Sequence, residues 1–259
     1  MINYIKSEIY RIFHNKSSYL FIIICSLLLM SSNILLAIMK HQDQTFGYAT
    51  TNFAFSFVYS QMSILFILCI MVASITFGNE YGYHTMKNSV SYGINRKDIY
   101  LGKFIVQIIY AIAAFLIILG VYVLTGYLLL ENTGSDDLRL LLMTALISLP
   151  QFIFAIAVTN CFLFAIDSSG AAIAASCGAM IVLPQLSNIL GMKFVFFTKL
   201  RSVLPWNLMN SIGFDMDRHE LKLNWELSEG YRNYWMFGLI QAILFIIIGY
   251  MVFHKKEVK

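Results

Sequence analysis

The sequence predicts an all-α polytopic membrane protein. It would have six transmembrane helices, an N-terminal amphipathic interfacial helix, a short cytoplasmic helix between spans 2 and 3, and a re-entrant or outer helical segment before span 6. Three observations predict this class. Apolar residues make up 59% of the 259-residue chain and charged residues 12%, about half the charge of a soluble domain. Several apolar runs approach or exceed the roughly 20 residues that cross a bilayer core as a helix. The runs are continuous, without the two-residue alternation of a membrane β-barrel.

The first element is amphipathic. Ile2, Ile5, Ile9, Ile12 and Phe13 fall on one helical face, with Lys6, Glu8, Arg11 and Asn15 at its margins or opposite. Residues 1–18 therefore read as a helix lying in the cytoplasmic interface and feeding the first span near Ser17 and Ser18. The first apolar run is long enough to span, whereas a signal h-region has about 7–15 residues, so it is expected to stay in the protein. The spans are expected at 19–39, 53–78, 101–130, 138–166, 170–191 and 233–253. The third, at 1.5 Å per residue, reaches about 45 Å and must tilt or project beyond the hydrocarbon. Pro150 and Pro184 fall inside the fourth and fifth spans, where proline kinks a helix and frees a carbonyl.

Lys and Arg placement sets the orientation. Ten of them share the side of the two termini: Lys6, Arg11, Lys16, Lys87, Arg96, Lys97, Lys103, Lys255, Lys256 and Lys259. The short loops opposite hold only Lys40 and Arg139, and the long loop 192–232 adds six more beside five acids, at a length that weakens the rule. Both termini and the segment 79–100 are thus expected in the cytoplasm. In that segment Asn79 is placed to cap a helix running to about Val90, Ser91-Tyr92-Gly93 to turn, and Asn95 to cap the third span with Asp98 in its first turn. A short helix held by tight turns between two membrane helices buries little surface alone and is built to be pushed. The loop 192–232 divides in two. Its first half is aromatic but broken by Lys199, Arg201 and Pro205, which suits a re-entrant or interfacial helix pair; its second half is charged and water-facing.

Catalytic chemistry is absent from the sequence. The cysteines Cys25, Cys69, Cys161 and Cys177 lie in apolar runs without a CxxC pair and read as small buried hydrophobes. There is no GxxxxGK[ST] and no HExxH, and the five histidines are scattered. No cofactor is expected in this chain, and no nucleic acid. The middles of the spans carry almost no ionisable residue, whereas an ion-coupled carrier keeps intramembrane acids or bases. Energy for any transport would therefore enter from outside the membrane.

The stretch after the second span resembles a known family. Glu80, the run Gly82-Tyr83-His84-Thr85-Met86-Lys87, then Ser91-Tyr92-Gly93-Ile94-Asn95-Arg96-Lys97-Asp98 and Gly102-Lys103-Phe104 look like the permease subunits of ABC-2 type transporters. Asn95 stands before the arginine where that family commonly has serine. The resemblance covers the whole chain in layout and is specific over 79–104. It implies one permease domain over 1–259: a connecting helix at 1–18, a coupling segment at 79–100 that docks in a cleft of a separate ATPase, and an outer loop at 192–232. Carried over by position, the coupling residues are Glu80, Gly82, Tyr83, His84, Met86, Lys87, Arg96 and Lys97. ATP and Mg would be bound by the partner ATPase. The type I importer signature is missing, which favours export.

One six-span chain is too thin to enclose a wide path, so a second permease chain, identical or different, is implied, in a plasma membrane whose lipid is the other partner. Candidate polar contacts for the path are Asn52, Tyr59, Gln61, Asn160, Gln185 and Asn188. The leading expectation is export of a hydrophobic or amphipathic molecule, whether peptide, antibiotic or lipid-like; small permeases of this layout often serve antimicrobial-peptide resistance. An ion-coupled secondary transporter or channel, and a non-transporting membrane anchor for a cytoplasmic partner, compete with it.

Overall fold

The computed structural model describes residues 1–83, 89–210, 212–215, 220–223 and 230–256. The described residues form helices joined by short connections, with one small hairpin. In order the helices are α1 (Ile2–Phe13), α2 (Lys16–Gln42), α3 (Thr51–Ser60), α4 (Leu65–Tyr83), α5 (Arg96–Leu129), α6 (Asp136–Ile147), α7 (Leu149–Ala165), α8 (Ser169–Cys177), α9 (Leu183–Leu190), α10 (Val195–Arg201), α11 (Pro205–Asn210) and α12 (Gly230–Lys255). By length and composition α2, α5, the joined α8–α9 and α12 can each cross a membrane among the described residues; the number is 6 if each of the bent pairs α3–α4 and α6–α7 is one span.

The two bends have different causes. Between α6 and α7 the axis turns by 43° at Pro150, whose ring cannot follow a preceding helical turn. Between α3 and α4 it turns by 59° without a proline. There the Ser56 and Ser60 hydroxyls donate to the Phe53 and Phe57 carbonyls at 2.9 and 3.0 Å. The same bonds at Ser31 and Ser32 leave α2 unbroken, so the break lies at Gln61 itself, which leaves the helical region at φ −114°, ψ 35°. Pro184 follows a π turn over Gly178–Val182, where the ladder is already loosened.

One sequence expectation fails at the end of the second span. No new helix starts at Asn79; α4 runs on through it to Tyr83. An asparagine caps only where the backbone already leaves the helix, and nothing before Asn79 makes it leave. The turn at Ser91–Gly93 is present, with Gly93 at φ 81°, and Asn95 precedes α5 without a side-chain cap bond. The first break falls at Asn15, whose side chain accepts from the Ser17 amide at 3.0 Å.

Helix α5 is the axis of the bundle, touching α1, α2, α4 and α7. On α2 the fully buried Asn33 donates to the Tyr122 carbonyl at 3.0 Å and to Thr125 Oγ1 at 2.9 Å. Helix α12 lies along α7, where Gly238 and Gly249 give room for Pro150 and Cys161. At the end that carries both termini, the rings of Phe77, Tyr100, Phe164 and Phe253 form a separate core, with centroids 4.5 to 4.9 Å apart along the chain of rings. In the long loop, α10 and α11 have 7 and 6 residues and are too short to cross a membrane. The charged half then holds the strands β1 (Ile212–Asp215) and β2 (Glu220–Leu223), paired antiparallel with Ile212 opposite Leu223; no strand was read there from sequence.

Candidate functional site: a polar joint between α1, α4 and α5

Helix α1 lies across α5 because Gly102 leaves space for an aromatic ring. A Cβ at Gly102 would stand 2.6 Å from Tyr4 Cδ1. Ile5, Ile9 and Ile12 turn into the core from the same face. So does Glu8, which the sequence reading placed at the polar margin. Three residues after Ile5 and four before Ile12, it shares their face. Its carboxylate accepts from Arg11 Nη2 at 2.6 Å and from Lys103 Nζ at 3.3 Å. The Glu8 and Lys103 side chains are only 8% and 1% exposed. Arg11 also donates to the Thr76 carbonyl at 2.8 Å, and the Lys103 ammonium stands 5.0 Å from the Phe77 ring centroid. Two buried charges stabilise little in net terms, but removing either takes a close, buried partner from the other. The pair therefore fixes where α1 sits.

A neutral relay continues inward. Asn160 Nδ2 donates to Gln107 Oε1, Gln107 Nε2 donates to Thr76 Oγ1 at 2.7 Å, and Thr76 Oγ1 donates to the Ala73 carbonyl at 2.7 Å. All three side chains are buried. One connected set of polar groups thus spans α1, α4, α5 and α7, and it includes both helices that flank residues 84–95.

The start of α5 is tied to the far end of the chain. Arg96 Nη1 donates to the carbonyls of Phe253, His254 and Lys256 at 2.9, 2.9 and 2.6 Å, and the guanidinium lies 5.7 Å from the Phe253 ring centroid. These carbonyls end α12, where orphan acceptors and the negative end of the helix dipole attract a cation. Lys256 does the same for α7, donating to the Phe164 and Ala165 carbonyls at 3.1 Å each and pairing with Asp167 at 2.7 Å. The Met1 amine pairs with Asp98 in the first turn of α5 at 3.2 Å.

The residues singled out by sequence are placed unevenly. Glu80, Gly82 and Tyr83 form the last turn of α4. His84, Met86 and Lys87 lie outside the described residues. Arg96 caps α12, and Lys97 is exposed. The candidate path residues do not converge. Asn52 bonds Asp137 at 3.2 Å at the far end, Asn160 belongs to the buried relay, and Asn188 donates to Asn207 at 2.9 Å in the outer loop region. Gln61 and Gln185 are exposed, and Tyr59 is half-buried. Sequence reasoning missed Glu8, Thr76 and Gln107 as partners, and used Lys103 only as one of the cytoplasm-side charges. Glu8 had a signal in its spacing, and so did Gln107, four residues after Lys103 on one face.

Residues 4–183 match the profile described as "ABC-2 family transporter protein", well over half of the chain. The chain belongs to the ABC-2 transporter family. It is accordingly a multi-pass membrane protein and a permease subunit of an ABC transporter. No curated protein matches it. The matched stretch of this ABC-2 permease runs from α1 to the start of α9. It contains the whole polar joint and relay, and leaves out the outer loop and α12.

Proposed function

We propose that this ABC-2 permease is the membrane subunit of an ATP-driven exporter, energised by a separate cytoplasmic ATPase that docks on residues 80–97. Its substrate is a hydrophobic or amphipathic molecule, and a second permease chain completes the path in the plasma membrane, with both termini in the cytoplasm. The observation that carries this reading is the anchoring on both sides of the segment. Before it, the α4 carbonyl of Thr76 is held by Arg11. After it, Lys103 is paired with Glu8 and Arg96 grips the end of α12. Force applied at the segment therefore reaches α1, α4, α5, α7 and α12 as packed bodies, without internal chemistry. Export rather than import rests on the missing importer signature, and the class of substrate on the apolar spans.

The test is affinity capture of the tagged permease from its own membrane. An ATP-hydrolysing subunit should accompany it in stoichiometric amount and be lost on Lys97→Glu, with the permease still folded. Solute movement down an ion gradient by the purified chain, with no such subunit present, would overturn the reading.

A further inference from the structure

The chain enters α5 through a turn that presents one bare ring. Residues 89–91 are helical, and that helix stops in a Schellman turn. The Gly93 amide donates to the Val90 carbonyl at 3.0 Å and the Ile94 amide to the Ser89 carbonyl at 3.2 Å. Gly93 stands at φ 81°, the left-handed geometry that such a stop uses. Val90 and Ile94 pack against the ring core of Phe77, Tyr100, Phe164 and Phe253. Tyr92 lies between these two anchors and faces the other way. It is 87% exposed, the one large apolar side chain exposed among residues 89–103.

A fixed backbone under an exposed aromatic ring suits a protein-binding anchor. Tyrosine offers wide contact area with two side-chain torsions to order, and a turn already held lowers the cost of ordering the rest. The surroundings favour a protein over lipid. An aromatic at headgroup level packs beside hydrocarbon, whereas the exposed neighbours of Tyr92 are Ser91, Gly93, Asn95 and Lys97, and the paired Asp98 and Met1 amine follow. We infer that Tyr92 is the residue through which the ATPase subunit grips this permease. Its ring enters an apolar slot on that subunit, its hydroxyl meets a polar group at the base of the slot, and a carboxylate on the rim faces Lys97. This rests on docking at residues 80–97 as proposed above, and adds which side chain carries the affinity. Force on the ring passes through Val90 and Ile94 to the core where α4, α5, α7 and α12 meet.

The test takes the ATP-hydrolysing subunit that accompanies the wild-type permease, purifies it, and titrates it against permease variants in lipid nanodiscs. Tyr92→Ala should weaken binding by about thirtyfold or more. The unfolding midpoint of that variant should stay at the wild-type value, since so exposed a ring packs against little. Tyr92→Phe should cost less than about tenfold. Gly93→Ala adds a Cβ that meets nothing within 4 Å, so it strains only the turn and should weaken binding by about fivefold. Gly93→Asn, which tolerates the left-handed region, should cost less. If Tyr92→Ala binds as tightly as the wild type while Lys97→Glu does not bind, the inference falls and the docking reading stands. A lowered unfolding midpoint for Tyr92→Ala with binding unchanged would also overturn it, by placing the ring in the headgroup layer. If no ATP-hydrolysing subunit accompanies the wild type, both fall.

Discussion

The joint between α1 and the bundle predicts a double-mutant cycle. Glu8→Gln leaves Lys103 without its carboxylate, and Lys103→Met leaves Glu8 without its ammonium. Removing one member of a buried pair costs about 3–5 kcal/mol. Side-chain exposures of 8% for Glu8 and 1% for Lys103 leave water little chance to replace the lost partner. Two features soften the loss. Arg11, 37% exposed, can turn to solvent, and Lys103 keeps the Phe77 ring at 5.0 Å. Each single substitution is therefore placed at the low end, about 3 kcal/mol. For a chain of this size that is a fall of about 6–12 °C in the unfolding midpoint.

The double substitution is the decisive arm. Glu8→Gln with Lys103→Met puts an amide against a thioether of similar length and removes both charges of the pair. It should recover most of the loss, giving a coupling of about 2 kcal/mol or more. Thermal unfolding in lipid nanodiscs measures the cycle, and hydrogen exchange over α1 shows whether the loss is local to that helix. If the double substitution loses the sum of the two single losses, Glu8 and Lys103 are not acting as a pair and the joint is not what positions α1.

Three further outcomes follow from single contacts. Arg96→Gln removes the group that meets three α12 carbonyls, so amide exchange in the last turn of α12 should speed by at least about tenfold; Arg96→Lys should restore little, since an ammonium lacks the planar fork. Gly249→Ala would drive a Cβ onto the Tyr100 hydroxyl and to 3.2 Å from Cys161 Cα, parting α12 from α7 at about 1–3 kcal/mol, whereas Gly120→Ala, with nothing within 4 Å, should be neutral or stabilising in the same melting assay. Asn33→Leu should loosen α2 from α5 by about 0.6–1.7 kcal/mol, the range of side-chain hydrogen bonds between membrane helices, and a smaller effect would mean that apolar packing alone holds α2.

The all-α, membrane-spanning class was legible because span length and apolar content are properties of a stretch, and a stretch is what a sequence displays. The bend at Pro150 was legible for the same reason. The larger bend at Gln61 was not, because no proline or glycine marks it. The polar joint was half legible. Spacing alone puts Glu8 on the face of Ile5 and Ile12, but its partner is 95 residues away. A lysine at the mouth of an apolar run reads equally as a snorkelling flank or as a buried charge. Asn160 stood out as polar in an apolar span, while the Gln107 that accepts its hydrogen bond lies 53 residues earlier.

Arg96 shows how such distance matters for function. In the sequence it stands beside Lys97, and the two read as one outward basic patch. In the fold the nearest negative potential is the carbonyl end of a helix 157 residues later, and the guanidinium turns to it while Lys97 faces out. Reversing both charges together would therefore fray α12 and alter any docking surface in one stroke. Lys97→Glu leaves the cap in place. A loss of the ATPase at Lys97→Glu with α12 exchange unchanged would locate docking at the segment itself. The same loss seen only at Arg96→Glu would instead show that an intact α12 end is what the partner requires.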